Sequence, residues 1–160
     1  QPLISVVQGE GDKSSALKLR NYAYVTALAV AAVCFAVLYL CRNLVPEVFG
    51  SGDFAAYESA RILPFFAGSA LFTAVSKITA AYFYSMNRNA FAYVIVYGEL
   101  AAVIVLVLTL PQSLGIDGVW LALPLAQVII AFIALAMLAG LYFRGKKYPV
   151  FPEYVRISRD

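Results

Sequence analysis

Histidine is absent from the sequence, and cysteine occurs only at Cys34 and Cys41. A metal site built from imidazoles or clustered thiolates therefore has no ligands. The two cysteines are seven positions apart, a distance of about 10 Å along a helix, which is too long for a disulfide. The sequence also contains no glycine-rich phosphate loop, nucleophile elbow or close pair of carboxylates. We expect neither an enzyme nor a bound cofactor.

Charged residues are scarce as well. They make up 13% of the 160 residues, and 62% are hydrophobic, whereas a soluble domain has about 25% charged and about 45–50% apolar residues. So few charges cannot cover a surface that faces water. The net charge of +3 comes without the basic, aromatic-rich patch that would indicate a nucleic-acid partner.

The apolar residues lie in long runs that contain almost no charge. Residues 23–41 carry none and cover about 28 Å as a helix, close to the thickness of the hydrocarbon core of a bilayer. Two further runs contain one charge each, Lys77 and Glu99, and the last run contains none. We therefore predict an all-α membrane protein, with the lipid bilayer as its partner and four spans over 22–41, 62–86, 90–110 and 118–143.

Short connections separate these spans. Residues 87–89 join the second and third spans so tightly that the two helices are expected to be antiparallel neighbours. Pro111 is expected to close the third span, and residues 112–117 are expected to form a loop before the fourth.

The cations are distributed unequally between the two sides. If successive loops alternate across the membrane, only Arg42 and Arg61 fall on one side. The other side receives nine cations: Lys13, Lys18, Arg20, Arg88, Arg144, Lys146, Lys147, Arg156 and Arg159. This asymmetry is the positive-inside pattern, and it predicts that both ends of the segment are cytoplasmic, with residues 144–160 as a tail.

Lys77 and Glu99 are the charged residues placed well inside the predicted spans. Each lies eleven positions from Arg88, on opposite sides of the turn, and thus about 16 Å from it, near the middle of the bilayer. An ion pair between them is geometrically available. Such a pair either locks the hairpin or takes part in binding a coupling ion or substrate; alternatively, one of the two side chains reaches toward an interface.

Other polar residues extend this candidate site. One stripe of the second predicted helix consists of Thr73, Lys77, Ala80 and Tyr84, with Ser76 and Thr79 at its edges. A polar stripe in lipid is expected to face inward, where it either lines a cavity or packs against a neighbouring helix. Gln127 in the fourth span offers the same two alternatives. The candidate binding residues are Lys77, Glu99, Thr73, Ser76, Tyr84 and Gln127.

Two motifs resemble a known family. Residues 1–5 (QPLIS) and 9–12 (GEGD), together with residues 114–126 (LGIDGVWLALPLA), are similar to the C-terminal third of multidrug and toxic compound extrusion (MATE) transporters. The resemblance implies a twelve-helix fold of two lobes, of which these spans are the ninth to twelfth. It also implies a multi-pass exporter of the plasma (inner) membrane. In that case the chain is a fragment of a longer product, and the remaining helices of that product are its partners.

The resemblance implies a function too, namely a sodium- or proton-coupled antiporter that moves small organic, often cationic, compounds out of the cell. Many sodium-coupled members carry an aspartate where this chain has Thr73, and Lys77 is not part of the family pattern. Glu99 is then the candidate to replace the missing carboxylate from the neighbouring helix. The alternative is a small four-helix membrane scaffold or assembly subunit, in which Lys77 and Glu99 form a packing pair.

Overall fold

The computed structural model describes residues 13–48, 50 and 52–147. These residues form five helices: α1 (Lys13–Leu40), α2 (Leu44–Val48), α3 (Asp53–Ser85), α4 (Asn89–Leu114) and α5 (Ile116–Lys147). All but the short α2 are long and apolar enough to cross a membrane. The predicted all-α class with four candidate spans is thus confirmed for the described part of the chain. Residues 1–12, with the first family motif, and residues 148–160 of the predicted tail lie outside the described residues.

The helices are longer than the predicted spans. The first begins at Lys13 rather than at 22, and α3 begins at Asp53 rather than at 62. The last continues to Lys147, into the segment predicted as a tail. A hydropathy run marks only the part of a helix that lies in hydrocarbon. The backbone hydrogen bonds continue into the polar interface, so each helix extends beyond the span predicted within it.

The connection between α4 and α5 also differs from the expected loop over 112–117. Pro111 lies inside the last turn of α4, and Gly115 alone separates the two helices. The Gly115 N–H donates a hydrogen bond to the Pro111 carbonyl at 2.9 Å. Because Gly115 has a positive φ of 59°, which glycine adopts without steric cost, the chain reverses at one residue. Pro111 therefore does not end the helix.

Gly118 allows α4 and α5 to approach closely next to this reversal. A Cβ atom at this position would lie 2.5 Å from the carbonyl carbon and oxygen of Leu110. No side chain fits at that distance, so the first turn of α5 packs directly on the backbone of α4. Small residues support such close helix contacts in membranes.

The four long helices form a three-helix core with one attached helix. α3, α4 and α5 all pack against one another, whereas α1 contacts only α3 among the described elements. The centre of the core contains the fully buried Phe83, Ile95 and Ile130. α5 contributes mainly alanines there, which lets the helices approach closely.

Contacts between helices fix their directions. On α1, Tyr24 bonds to Thr79 and Phe35 lies against Gly68, so α1 is antiparallel to α3. Arg61 of α3 pairs with Asp117 of α5, and Phe66 further along α3 contacts Trp120 further along α5, with ring centroids 6.4 Å apart. The contacts follow the same order in both helices, so α3 and α5 run in the same direction. The start of α1, the Arg88 turn and the end of α5 therefore share one end of the bundle, as an even number of spans requires.

The outer surface of the bundle is apolar. Within the most apolar stretch of α1, none of the residues is buried in the protein, and large side chains such as Val25, Val30 and Leu40 are exposed. Both cysteines are free, and Cys34 is among the exposed residues. Such a surface is stable in lipid or against further helices and unfavourable in water.

Candidate functional site

Three helices bring polar side chains together in the middle of the bundle. Lys77 on α3 donates a hydrogen bond from Nζ to Oε2 of Glu99 on α4, at 2.5 Å. Gln127 on α5 donates from Nε2 to the other oxygen of Glu99, Oε1, at 2.9 Å. Glu99 is therefore the centre of the cluster, and each of its two carboxylate oxygens has one donor.

The contact between Lys77 and Glu99 follows from the turn between α3 and α4. Asn87 adopts a left-handed conformation with φ of 56°, which asparagine tolerates better than most residues. The Arg88 N–H then donates to the carbonyl of Phe83 at 2.9 Å and closes the turn. Because Lys77 and Glu99 are equally far from Arg88, they meet at equal depth. The ion pair expected from this spacing is present.

The two partners of the ion pair differ in exposure. The side chain of Glu99 is 18% exposed, whereas that of Lys77 is 53% exposed. The carboxylate therefore lies between the helices, and the ammonium lies on the open side of the four-helix group. A charge at the bilayer centre costs about 2.5–3.5 kcal/mol on insertion scales. The open side next to Lys77 thus requires polar cover rather than lipid tails.

The side-chain amide of Gln127 is buried, and only one of its two polar atoms has a hydrogen-bond partner. Its side-chain oxygen, Oε1, is covered by protein and has no hydrogen-bond partner. A buried carbonyl oxygen without a donor costs about 1–3 kcal/mol. Turning the amide round would place this oxygen against Glu99, which repels it as long as Glu99 is ionised.

The remaining candidates on α3 do not join the cluster. The hydroxyl of Ser76 donates to the carbonyl of Thr73 at 3.0 Å, and Thr73 donates to the carbonyl of Ser69 at 3.1 Å. Both hydroxyl groups thus bond within their own helix, as is common for serine and threonine in apolar surroundings. Neither of these two hydroxyls bonds to Lys77 or Glu99.

The described helices cover the predicted polar stripe only in part. Ser76, Thr79 and Ala80 are buried, but Lys77 and Tyr84 are exposed. The reason is the position of α4, which packs along one edge of the stripe rather than over it. Lys77 reaches sideways to Glu99, and its ammonium remains accessible.

Tyr84 belongs to a row of aromatic rings that the sequence did not reveal. Its ring contacts that of Tyr93 edge to face, with centroids 5.9 Å apart, and Tyr93 contacts Tyr97 at 6.0 Å. All three rings are exposed on the side where α3 and α4 meet. The spacing of Tyr93 and Tyr97 by one helical turn was the available signal, but their pairing with Tyr84 depends on the hairpin.

Two further contacts attach α1 to α3 at the end of the bundle that holds Arg88. The hydroxyls of Tyr24 and Thr79 lie 2.5 Å apart, and Thr79 is completely buried. The guanidinium of Arg20 lies over the ring of Tyr82 at 5.1 Å from its centroid, within the range of a cation–π interaction. Neither contact was predicted, because each joins positions far apart in the sequence.

The opposite end of the bundle contains a second ionic group. Arg61 donates to Glu58 at 2.7 Å and also pairs with Asp117 at the start of α5. Next to this group, an apolar groove of about 440 Å³ is bordered by Phe54, Phe66 and other residues in the N-terminal halves of α3 and α5. The groove does not include any residue of the mid-span cluster.

Lys77 and Gln127 each donate to one oxygen of Glu99 and leave further lone pairs of the carboxylate free. A proton or a cation that binds this carboxylate competes with the charge of the Lys77 ammonium. Within the part of the chain that the structure describes, no group of three or more acidic or thiol side chains could hold a metal ion.

No family model, no curated protein and no solved structure matches this chain. The membrane-spanning character of the chain therefore rests on its own helices, and membership of the MATE family stays a prediction from the two sequence motifs.

Proposed function

We propose that this chain forms part of a secondary active exporter that moves organic compounds across a membrane in exchange for sodium ions or protons. The observation that carries the proposal is the mid-span ion pair in which Lys77 is half exposed and Glu99 is covered. Charged residues inside membrane spans are rare and usually mark an ion or substrate path.

The exposed ammonium argues for a water-filled cavity or further helices beside α3 and α4. In lipid alone, the ammonium of Lys77 would face hydrocarbon on its open side. A larger transporter removes this cost because its substrate path and its other helices supply polar surroundings. Sites of secondary transporters lie near the midplane between packed groups of helices, which is the depth expected for Lys77 and Glu99.

The connection of Glu99 to two other helices suits a coupling role. One of its oxygens bonds to α3 and the other to α5. A change in the charge of Glu99 therefore alters the contact of α4 with both neighbours at once. A transporter requires such a link between ion binding and helix movement.

The resemblance to MATE transporters supplies the finer parts of the proposal. In this interpretation the four spans are the last four of twelve, and the remaining helices complete the site. The protein lies in the plasma (inner) membrane, with both ends of this segment in the cytoplasm. It acts as a transporter of small organic compounds rather than as an enzyme, and it uses no cofactor.

The test is ion-coupled efflux by the complete protein in proteoliposomes. Glu99→Gln removes the titratable charge at the centre of the cluster and is expected to abolish efflux driven by a sodium or proton gradient. Glu47→Gln is the matched control, because Glu47 is an exposed carboxylate on the short α2, and it should transport like the wild type. Normal ion-dependent efflux by the Glu99 variant would refute the proposal.

A membrane scaffold or assembly subunit is the second candidate. The observation in its favour is the short contact between Lys77 and Glu99, which ties α3 to α4. Exchanging the charges, Lys77→Glu together with Glu99→Lys, keeps the ion pair and gives the unpartnered oxygen of Gln127 a donor. A scaffold should keep its function after this exchange, whereas a transport site should lose its function.

A further inference from the structure

The apolar groove at the end of the bundle opposite Arg88 has no part in the proposed transport site. Its volume is about 440 Å³, and its wall includes Phe54, Glu58, Phe66 and Trp120. Ligand sites in proteins usually have about 300–1,000 Å³. The side chains of Phe54 and Trp120 are exposed, so the groove is open at the surface of the described helices and is large enough for part of a ligand.

We propose that this groove binds a phospholipid whose headgroup carries a primary ammonium, as in phosphatidylethanolamine. The ammonium binds Glu58, the phosphate binds Arg61, and the upper part of one acyl chain lies along Phe66 and Trp120. The site goes beyond the proposed exporter function and does not depend on it. It requires only that the long apolar helices lie in a bilayer, for which they have the length and composition.

The groove crosses the boundary between headgroups and hydrocarbon. Ile62 begins the uncharged run of α3, and Glu58 lies four residues before it, whereas Phe66 lies four residues after it. These residues are therefore about 6 Å above and about 6 Å below the start of the run. The headgroup layer adds about 5–7 Å to each side of the hydrocarbon core. Glu58 thus lies at headgroup depth and Phe66 at acyl-chain depth, which is the span of the upper part of one phospholipid.

The polar end of the groove offers one acceptor and one donor to a headgroup. Arg61 donates from Nη2 to Oε2 of Glu58 at 2.7 Å, and no described residue donates to the second oxygen, Oε1. The guanidinium uses Nη1 and Nη2 for Glu58 and Asp117, so its Nε–H is without an acceptor among the described residues. An ammonium and a phosphate in one headgroup match these two groups, and both contacts are charge-assisted hydrogen bonds.

The charges at this end of the bundle decide which headgroup fits. Carboxylates outnumber cations among the described residues there: Glu47, Asp53, Glu58 and Asp117 against Arg42 and Arg61. An anionic headgroup such as phosphatidylglycerol would meet this excess of negative charge. The quaternary ammonium of phosphatidylcholine has no N–H to donate to Glu58. A primary ammonium supplies both the positive charge and the hydrogen bond.

The apolar end of the groove is held in shape by its own contacts. The rings of Phe66 and Trp120 meet at a steep angle of 74°, with centroids 6.4 Å apart, and Ile62 is buried beneath the groove wall. A further membrane helix could cover these apolar side chains. It would leave Oε1 of Glu58 without a donor unless it carried a cation at the same depth. A phospholipid supplies the apolar chain and the cation in one molecule.

The test uses the fluorescence of Trp120, the single tryptophan of the 160 residues. The complete purified protein is placed in nanodiscs of phosphatidylcholine that contain a small, increasing fraction of a lipid with brominated acyl chains, which quench tryptophan on contact. The brominated lipids share their chains and differ in headgroup: ethanolamine, choline or glycerol. The signal of Trp120 is the difference between the wild type and Trp120→Phe. We expect the ethanolamine lipid to quench it at a roughly fivefold lower fraction than the other two.

Three variants separate the parts of the proposal. Glu58→Gln removes the negative charge and should reduce quenching by the ethanolamine lipid to the level of the choline lipid. Ala55→Phe places a ring in the groove, which Ala55 borders, and should weaken quenching by all the brominated lipids. Glu47→Gln is the matched control, because Glu47 is an exposed carboxylate at the same end of the bundle but outside the groove; it should keep the preference of the wild type. If Glu58→Gln does not fold, the headgroup comparison on the wild type and Ala55→Phe still decide the outcome.

Several results would overturn the proposal. If no brominated lipid quenches Trp120, protein rather than lipid covers the groove. Equal quenching by the three headgroups, or strongest quenching by the glycerol lipid, would refute the role of Glu58 in headgroup selection. An unchanged ethanolamine preference in Glu58→Gln would do the same. Quenching needs no substrate and no ion gradient, so this outcome is independent of the efflux assay.

Discussion

Replacing Gly118 with alanine tests the close contact between α4 and α5 on which the position of Gln127 depends. The added Cβ would lie 2.5 Å from the carbonyl carbon and oxygen of Leu110 and 2.8 Å from the nitrogen of Pro111. These are backbone atoms that cannot rotate out of the way. The two helices must therefore separate at their connected ends, which also shifts Gln127 relative to Glu99.

The size of the effect follows from two opposing contributions. Inserting a methyl group into a well-packed contact costs about 1–3 kcal/mol. Alanine in place of glycine inside a helix gains about 1 kcal/mol at most, and Gly118 lies in the first turn of α5, where the gain is smaller. The clash therefore prevails, and we expect a net destabilisation of about 1–2 kcal/mol.

The assay is thermal unfolding in a mild detergent, followed by circular dichroism. Gly140→Ala is the matched control, because Gly140 lies in the same helix and a Cβ there would meet no atom within 4 Å. The control variant should be as stable as the wild type or slightly more stable. If Gly118→Ala unfolds at the same temperature as Gly140→Ala, the close approach of α4 and α5 is refuted.

Two further predictions concern buried polar contacts. Tyr24→Phe removes the hydroxyl that bonds to Thr79 and should lower stability by about 0.6 kcal/mol, a typical value for a hydrogen bond between membrane helices. The control variant Tyr22→Phe, at an exposed position, should have no effect on stability. Equal losses of stability in the two variants would contradict the contact between Tyr24 and Thr79. Lys77→Met leaves the carboxylate of Glu99 without its counter-charge and should cost about 2.5–3.5 kcal/mol. Adding Glu99→Gln should recover most of that loss, and a double variant no more stable than Lys77→Met would argue against the pairing.

The sequence predicted the number and order of the spans because hydropathy reflects the solvent around a helix, and a run without charge admits few alternatives. It did not predict where the helices end. The polar residues from Asp53 to Arg61 continue α3 beyond the hydrocarbon run, and one glycine, Gly115, replaces the expected loop. Both outcomes depend on hydrogen bonding and packing outside the apolar runs, which hydropathy does not measure.

The candidate site was predictable in part for a similar reason. Lys77 and Glu99 are equally far from a tight turn, so the local chain brings them together. Gln127 was expected to form hydrogen bonds between helices, but its bond to Glu99 depends on how α5 is rotated against α4. The close approach at Gly118 helps to fix that rotation. The contact of Tyr24 with Thr79 depends on the docking of α1 and has no local signal.

The central claim is that lipid or further membrane helices, rather than water, surround the long apolar helices. The two natural cysteines test it directly. Cys34 is exposed on the described surface within α1, whereas Cys41 follows the end of that helix and is only partly exposed. Maleimides react with the thiolate, which forms readily only in contact with water.

The measurement is the rate at which a water-soluble maleimide labels each cysteine in intact membranes that expose the Cys41 side, followed by mass spectrometry. We predict that Cys41 is labelled and Cys34 is protected, and that both react after denaturation in dodecyl sulfate. In a protein whose helices lie in water, the more exposed Cys34 would react first. Labelling of Cys34 as fast as Cys41 in intact membranes would contradict the account.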